Sequence, residues 1–407
     1  MTTVLIIAQY FAPDWSGSST RAYNCARALT LEGCDVTVLS AFPHYPNGYT
    51  TASYKNKILS FDEVDEIKVI RTWVPNMSHS TDRRRVIIHL SFILSSLLGI
   101  LYIRKFDVVI AMNPNLFAFF PALVYSFLYR RNIIRNIDDL WPEVFYDLGI
   151  VRSRLSKKIL DFVARVTYSI PKMIVPLSHG YVKTLTDKYH VPREKIVVIE
   201  HGVDTERFSS HAVMPSFRNN AGSSVKIIVY SGILTNAYDF DTVLKAAKIL
   251  EAKPVHFIIR GTGDLANKLQ TKIENFSLSN VEIRTDTLSR DELISFLNSA
   301  DIFLLPMNSF NIVDQGLPTK TLEYQAMGKP IVCISNGEAG KYIKETHSGL
   351  VTGSRDPKEL AGLILNLVND DNLARTMGNN GYNYIKNNLT LEMIGKRFMK
   401  VIAESAH

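Results

Sequence analysis

The sequence predicts an α/β protein built from two doubly wound, Rossmann-like domains. Two observations lead to that prediction. Short apolar runs alternate with helical patterns along nearly all of the 407 residues, and the runs are apolar on both faces, as parallel strands covered by helices require. The series also breaks at a polar stretch, residues 209–224, and then restarts, which predicts a linker between two halves of similar size.

The predicted strands follow that division. In the first half they lie at residues 4–9, 36–40, 67–72, 108–112, 133–137, 173–176 and 197–200, and in the second half at 225–230, 255–260, 281–284, 302–305 and 331–334. Ligands of such folds bind at the carboxyl ends of the strands, so we expect both sheets to line a cleft. The predicted domains are residues 1–208 and 209–388. Residues 389–407 are predicted to form a helix that could pack on either domain, including back on the N-terminal one.

Composition and charge narrow the classes of function. Hydrophobic residues make up 46% of the chain, enough for large cores, and the net charge is +7. Residues 1–205 carry 24 Lys and Arg against 18 Asp and Glu, so nearly all of the excess lies in the N-terminal half. Such a bias favours nucleic acid or an anionic membrane surface. Because no long basic run with interleaved aromatic residues occurs, nucleic acid is not expected as a partner.

Cysteine and histidine usage excludes further classes. The three cysteines and ten histidines have neither metal-ligand spacing nor a disulfide pattern, which predicts a reduced, cytosolic protein without a metal site. Residues 3–8 lack a basic segment and a cleavage site, so they are expected to form a strand and not a signal peptide.

One apolar segment stands apart from the rest of the chain. Residues 86–103 contain no Asp, Glu, Lys or Arg, three arginines precede them, and Arg104 and Lys105 follow. A membrane span is disfavoured, because it would place the flanking strands on opposite sides of the bilayer. Two interpretations remain: a helix buried on the sheet, or one that also dips into the membrane interface. A second aromatic run at 116–129 and a basic helix around residues 154–158 add to the latter, which predicts a peripheral protein at the cytoplasmic face of the membrane.

The most informative stretch is residues 316–330, predicted as a loop, a short helix capped by Thr319 and a glycine stop, followed by the strand at 331–334. Lys320 lies in the first turn, where the helix macrodipole disfavours a cation. A helix N-terminus with an added lysine suits an anion, and Glu323, one turn on, can accept hydrogen bonds from vicinal hydroxyls. Together they predict a site for a diphosphate and a ribose. The alternative is a solvated amphipathic helix.

Two N-terminal segments also follow predicted strands. Gly17 and Ser18 would let backbone N–H groups approach a bound group, with a helix starting near Ser19 or Thr20, and Arg21 beside that start favours an anion. The alternative is a plain strand-to-helix turn. The segment Asp138-Asp-Leu-Trp-Pro-Glu143 places carboxylates after the strand ending at residue 137, or caps a helix.

Four segments together resemble the retaining glycosyltransferases of the two-Rossmann-domain type (GT-B), glycosyltransferase family 4, and more narrowly the WbuB-like branch. They are residues 11–17 with Arg21, 138–143, 200–204 and 316–330. The resemblance implies transfer of a sugar, an N-acetylated amino sugar being one option, from a UDP-sugar to a polyprenyl-diphosphate-linked acceptor in cell-surface polysaccharide or glycan biosynthesis. It implies no metal and no cofactor besides the UDP-sugar co-substrate.

The resemblance also implies the site residues. Catalytic roles fall to Asp139, Glu143 and Lys320. Donor binding falls to Gly17, Ser18, Arg21, Gly232, Asn236, Arg260, Gly261, Gly263, Gln315, Pro318, Thr319, Lys320, Thr321 and Glu323, and acceptor binding to Asp14, His44 and Asp139.

The chain departs from the family pattern at three places. Asp138 stands where arginine is frequent, and Gln315 stands where the first of two paired glutamates is expected. The loop after Gly232 lacks the usual cation, so Lys320 would carry that charge, with Arg260 as a second candidate.

Two motifs that mimic functional sites are predicted to be structural. Asp239-Phe-Asp241 is expected to cap a helix at 242–250 and not to bind a metal, and residues 289–292 are expected to form a capping box. Three other functions stay open: a nucleotide-sugar epimerase or hydrolase, a non-catalytic membrane-associated scaffold and, with an incomplete glycine fingerprint, a nicotinamide dehydrogenase.

Overall fold

The computed structural model describes residues 1–45, 48–78, 81–112, 119–147, 149–208, 225–310 and 312–406. The chain divides into two compact units, Met1–Gly202 with Leu391–His407, and Val203–Thr390. The predicted division at residues 208 and 209 falls a few residues after the observed one. The C-terminal helix belongs to the first unit.

The first unit is built on a seven-stranded sheet in the order β3-β4-β2-β1-β5-β6-β7. Its strands are β1 (Thr3–Ile7), β2 (Asp35–Ala41), β3 (Leu59–Val64), β4 (Ile67–Thr72), β5 (Val108–Ala111), β6 (Ile133–Ile137) and β7 (Met173–Pro176). All neighbours are parallel except β3 and β4, which form an antiparallel hairpin at one edge. Strand β1 pairs with β2 on one side and with β5 on the other. The strands up to β4 are added on the β2 side and the later strands on the β5 side, so the topological switch lies between β1 and β5.

Helices cover both faces of this sheet. They are α1 (Gly17–Leu31), α2 (Asp82–Ile100), α3 (Phe119–Tyr129), α4 (Glu143–Asp147), α5 (Arg154–Ser169) and α6 (Gly180–Asp187). The inner sides of α2 and α3 share one core with the sheet, for example through Phe92, Tyr125 and Val109. Helix α2 lies close on the sheet, because a Cβ at Gly99 would be 2.7 Å from Cδ1 of Leu39.

The second unit has a six-stranded, all-parallel sheet in the order β10-β9-β8-β11-β12-β13. Its strands are β8 (Lys226–Ser231), β9 (Val255–Arg260), β10 (Val281–Arg284), β11 (Ile302–Pro306), β12 (Ile331–Ile334) and β13 (Gly349–Thr352). Its helices are α7 (Phe240–Ile249), α8 (Ala266–Asn275), α9 (Arg290–Asn298), α10 (Thr319–Ala326), α11 (Glu338–Glu345), α12 (Pro357–Asn369) and α13 (Asp371–Asn388). Here the switch lies between β8 and β11.

The last helix, α14 (Leu391–Ala406), returns to the first unit and packs on α1. The contact is close, because a Cβ at Gly395 would lie 2.5 Å from the carbonyl oxygen of Ala28. Glycine therefore allows the two helix backbones to approach.

The predicted α/β fold class is confirmed, with three differences in the strands. Residues 197–200 form no strand, because Val197 and Ile199 only donate single N–H bonds to carbonyls of β7. Strands β3 and β13 were not predicted, since β3 alternates polar with apolar residues at a sheet edge and β13 has only four residues. No helix in the described ranges combines the length and hydropathy needed to cross a membrane.

Candidate functional site

Three glycines shape the second unit at the carboxyl ends of β8 and β9. Gly232, Gly261 and Gly263 have φ values of 150°, 146° and 151°, a region that side chains rarely allow. A Cβ at Gly261 would overlap the carbonyl oxygen of Gly232, and one at Gly263 would overlap that of Leu234. The two loops therefore touch through their backbones, beside the switch between β8 and β11 where ligands of such sheets bind.

Helix α10 starts next to these loops with an uncapped N-terminus. Pro318 occupies the N-cap position and no side chain accepts a hydrogen bond there. The predicted capping role of Thr319 is wrong, because Thr319 is already the first helical residue. Uncapped N–H groups at a helix start suit an anionic ligand.

Lys320 extends from this first turn into a pair of tyrosines. Its Nζ donates to the hydroxyl of Tyr230 at 2.7 Å and lies 4.1 Å from the ring centroids of both Tyr230 and Tyr238. A Cβ at Gly232 would overlap Nζ, so the ammonium lies directly against the first glycine loop. Burial lowers the pKa of Lys320 to about 7, and the charge of Glu323 only partly opposes this.

Glu323 is held by Arg290, a partner that no sequence motif indicated. Arg290, the first residue of α9, donates from Nη2 to Oε1 of Glu323 at 3.1 Å, and its guanidinium lies 4.7 Å from the ring centroid of Phe208. Both members of the pair are mostly buried. The available sequence signal was a cation in the first turn of α9, opposed to the macrodipole in the same way as Lys320.

The other predicted donor residues of this unit lie around the same strand ends. Arg260, at the end of β9, donates to the carbonyl oxygen of Asp286 at 2.7 Å, and burial lowers its pKa. Asn236 accepts through its backbone from Asn308 in the loop after β8. Gln315 ends a short 3-10 turn before α10, and the hydroxyl of Thr321 is fully buried.

In the first unit, Arg21 forms a buried ion pair with Asp138. Its Nε lies 2.9 Å from Oδ1 of Asp138, and its Nη2 donates to Asn136 at 2.7 Å and to the carbonyl oxygen of Ile199 at 2.9 Å. The Arg21 charge is thus neutralised by Asp138 within the unit, and its donor-binding role stays a prediction. The ion pair also explains how Asp138 is accommodated without the arginine expected there.

Asp138 and Asp139 follow β6, as predicted. Burial raises the pKa of Asp138 to about 7 despite the opposing effect of Arg21, and burial raises the pKa of Asp139 to about 6. The hydroxyl of Tyr181 donates to the backbone carbonyl of Asp138 at 3.2 Å. Near neutral pH the Asp139 carboxyl can exchange a proton, a property suited to general acid–base chemistry, whereas Asp138 is engaged by Arg21 and Asn136.

Glu143 begins α4 and already has a cation partner. Its Oε1 accepts from Nζ of Lys188 at 2.8 Å and from the hydroxyl of Tyr189, and Lys188 also donates to Asp161 at 3.0 Å. This cluster ties α4 to α5 and α6. Its catalytic role stays a prediction.

Asp14 and His44 meet after β1 and β2. The Asp14 carboxylate accepts from the backbone N–H groups of His44 at 2.9 Å and Tyr45 at 3.1 Å. Burial raises its pKa to about 6, although those two bonds act in the opposite direction. The buried His44 ring stacks on the Tyr10 ring, with 5.1 Å between the two ring centroids.

Helix α1 begins earlier than predicted. Its cap is Ser16, which forms a capping box with Ser19, so the helix does not start at Ser19 or Thr20. Gly17 and Ser18 are therefore in the first turn and not in a loop before it. Their N–H groups point outward at the N-terminal end of the helix, which still suits a polar ligand.

The two expected structural motifs are confirmed. Asp239 caps α7 by accepting from the N–H of Thr242 at 3.1 Å, although α7 starts two residues earlier than predicted. Ser289 and Glu292 form the capping box of α9. Within the described ranges, no three His, Cys, Asp or Glu side chains are grouped to hold a metal ion.

Comparisons with known proteins agree with this architecture. Residues 15–207 match the sequence model "Glycosyltransferase Family 4", and residues 216–384 match "Glycosyl transferases group 1". An uncharacterized glycosyltransferase of Methanocaldococcus jannaschii, MJ1178, is 28% identical over 69% of this chain and 80% of its own length. The chitobiosyldiphosphodolichol beta-mannosyltransferase of Candida albicans is 25% identical over 67% of this chain and 63% of its own length.

Solved structures show the same fold. Anabaena HepE in complex with UDP and glucose superposes with a TM-score of 0.71 at 14% sequence identity, covering 99% of this chain and 100% of HepE. At that identity the similarity establishes the shared two-domain fold.

Proposed function

We propose that this chain, a glycosyltransferase of the GT-B type, transfers a sugar from a UDP-linked donor to a hydroxyl of a polyprenyl-diphosphate-linked acceptor, with retention at the anomeric carbon and without a metal ion. An N-acetylated amino sugar is one candidate for the transferred group. The observation that carries the proposal is the position of Lys320, which lies between two tyrosines, against the glycine loop and at an uncapped helix start.

The donor would bind in the second unit. Its diphosphate would meet the Lys320 ammonium and the free N–H groups of α10, and its ribose hydroxyls would donate to Glu323, which Arg290 orients. The glycines would let the ligand approach the backbone closely. HepE, a protein of the same fold, was solved with UDP bound, which supports the proposal that the donor of this chain is a uridine nucleotide.

The chemistry requires a stabilised leaving group. As the sugar–phosphate bond breaks, negative charge grows on the diphosphate, where fixed donors are most effective. Retention requires the acceptor oxygen to arrive on the face that the diphosphate leaves. Asp139, with a pKa of about 6, would lie near the reacting hydroxyl, and Asp14 and His44 would contact the acceptor.

The proposed acceptor is a lipid diphosphate at the cytoplasmic face of the membrane. One relative is named for such a substrate, a chitobiosyl group carried on diphosphodolichol. The long apolar helix α2, flanked by arginines, gives the first unit a segment suited to a membrane surface.

Titration calorimetry with UDP, GDP, ADP and NAD tests the donor site in wild type, in Glu323→Ala and in the control Glu345→Ala, an exposed glutamate of the same unit. We expect selective UDP binding that weakens only in Glu323→Ala. NAD binding, or no nucleotide binding, would refute the donor site. Release of UDP from UDP-sugars at full rate without an acceptor would favour a hydrolase or epimerase.

A further inference from the structure

Three helices of the first unit, α2, α3 and α5, lie on the same face of its sheet. Helices α2 and α3 share one hydrophobic core with that face. The buried Arg135 of β6 lies 4.8 Å from the ring centroid of Phe119 in α3 and 5.0 Å from that of Tyr168 in α5. Helix α5 is therefore next to α3, and α2, α3 and α5 form one layer, which we call the three-helix layer.

The outer surface of the three-helix layer is apolar. Leu94 of α2 is 68% exposed, Phe127 of α3 83%, and Phe162 of α5 68%. Further exposed apolar side chains lie on the same helices, among them Leu90 and Leu98 of α2, Leu128 of α3, and Leu155 and Ile159 of α5. In α5 they recur at positions 155, 159 and 162, which is one stripe along the helix.

This exposure is not a general property of the molecule. On the opposite side of the same sheet, α1 exposes a single large apolar side chain, Leu31, and none is exposed on α14. Across the described part of the second unit, the exposed large apolar side chains are those of Ile233, Ile249 and Phe276. A contiguous patch of this kind on a folded protein marks an interaction surface.

The positive charge of the three-helix layer indicates which kind of partner covers it. Residues 81–105, 119–131 and 150–170 contain twelve Lys and Arg and two Asp, a surplus of ten positive charges in a chain whose net charge is +7. One of the two acids, Asp161, is already paired with Lys188. A second copy docking face to face would bring equal positive surfaces together. An anionic lipid surface is complementary in both respects, because it accepts apolar side chains and attracts cations.

We propose that the three-helix layer is a membrane-docking surface that lies flat on an anionic bilayer through α2, α3 and α5 together. This rests on the proposed membrane location and specifies the surface: the apolar segment of α2, the aromatic helix α3 and the basic helix α5 contact the bilayer as one layer. Because α2 follows the carboxyl end of β4, its start with Arg83 to Arg85 lies at the carboxyl-terminal end of the sheet, where Asp14 and His44 also lie. A lipid-linked acceptor in that bilayer would reach this edge without leaving the membrane.

Vesicle flotation tests the proposal with the full chain. Wild type is expected to float with vesicles of 30% phosphatidylglycerol in phosphatidylcholine, and weakly with pure phosphatidylcholine. The triple variant Leu94→Ser, Phe127→Ser, Phe162→Ser is expected to stay at the bottom, whereas Leu31→Ser, Phe276→Ser should float like wild type. Because each cation near such a surface contributes about 1 kcal/mol, Arg154→Ala, Lys157→Ala, Lys158→Ala should weaken binding about a hundredfold.

Several outcomes would overturn the proposal. Wild type that does not bind anionic vesicles would refute it, as would equal binding by the apolar triple variant. A dimer in analytical ultracentrifugation that the triple variant dissociates would assign the surface to a second copy. Circular dichroism and a cooperative thermal transition, measured in parallel, show that each variant is folded. The two proposals are separated by the wild type, because wild type that floats with anionic vesicles but does not bind UDP would refute the donor site alone.

Discussion

The most direct test of the donor site is the pH dependence of UDP binding through Lys320. Burial against the rings of Tyr230 and Tyr238 lowers the pKa of this lysine to about 7. A bound diphosphate would stabilise the ammonium and raise that pKa. Below pH 7 the free protein already carries the charge, whereas above pH 7 binding must take up a proton.

The magnitude follows from the pKa. Each unit of pH above the free-state pKa costs about 1.4 kcal/mol of binding free energy, or about tenfold in affinity. Between pH 7 and pH 9 the affinity should fall roughly fiftyfold, provided that the bound lysine stays charged. Below about pH 6 the contribution of Lys320 should be constant.

The assay is calorimetric titration of UDP from pH 6 to pH 9 with wild type, Lys320→Met and the exposed control Lys344→Met. Comparison with Lys320→Met removes the titration of UDP itself. At pH 6 we expect that variant to bind about 10- to 100-fold more weakly, the range for a lost charged hydrogen bond. Equal pH slopes in wild type and Lys320→Met would refute the role assigned to Lys320.

Three further predictions concern neighbouring features. Arg290→Ala should weaken UDP binding about tenfold by releasing Glu323, and Arg290→Lys should restore part of it, whereas unchanged binding in both would show that Arg290 does not orient Glu323. Arg21→Met should lower the free energy of unfolding, measured in urea, by about 3–5 kcal/mol, because it leaves Asp138 buried without its cation. The double variant Arg21→Met, Asp138→Leu should recover much of that loss. Wild-type stability of the single variant would contradict the buried pair. Gly261→Ala should lower stability by at least about 1 kcal/mol and abolish UDP binding, since its φ is 146° and a Cβ overlaps the Gly232 carbonyl; wild-type binding would contradict the close approach of the loops.

Local patterns in the sequence were enough to locate most elements. Mostly apolar runs predicted eleven of the thirteen strands, all except β3 and β13. Capping side chains identified the N-caps of α7 and α9, Asp239 and Ser289. These signals depend on residues a few positions apart, so they can be detected without tertiary structure. Strand β3 escaped because an edge strand with one solvated face alternates polar and apolar residues, and charged side chains obscured the pattern.

Local sequence patterns did not predict the interaction partners of the site residues. A cation near a helix start occurs at Lys320 and Arg290, in the first turns of α10 and α9, and at Arg21, the fifth residue of α1, yet the three have different environments. Arg21 is neutralised by Asp138, Arg290 is paired with Glu323, and Lys320 lies against two tyrosines. A departure from helix propensity indicates that something compensates the charge, but it does not identify the compensating group.

The sequence by itself determined the α/β class, the positions of most strands along the chain, the short helix within residues 316–330 and the basic, apolar character of the N-terminal half. Tertiary structure alone decided which charges remain available for a ligand, because ion pairs such as Arg21–Asp138 join residues 117 positions apart. It also decided that α2, α3 and α5 form one exposed layer. Burial and charge pairing depend on which strands and helices become neighbours in space, and short-range sequence patterns contain no record of that.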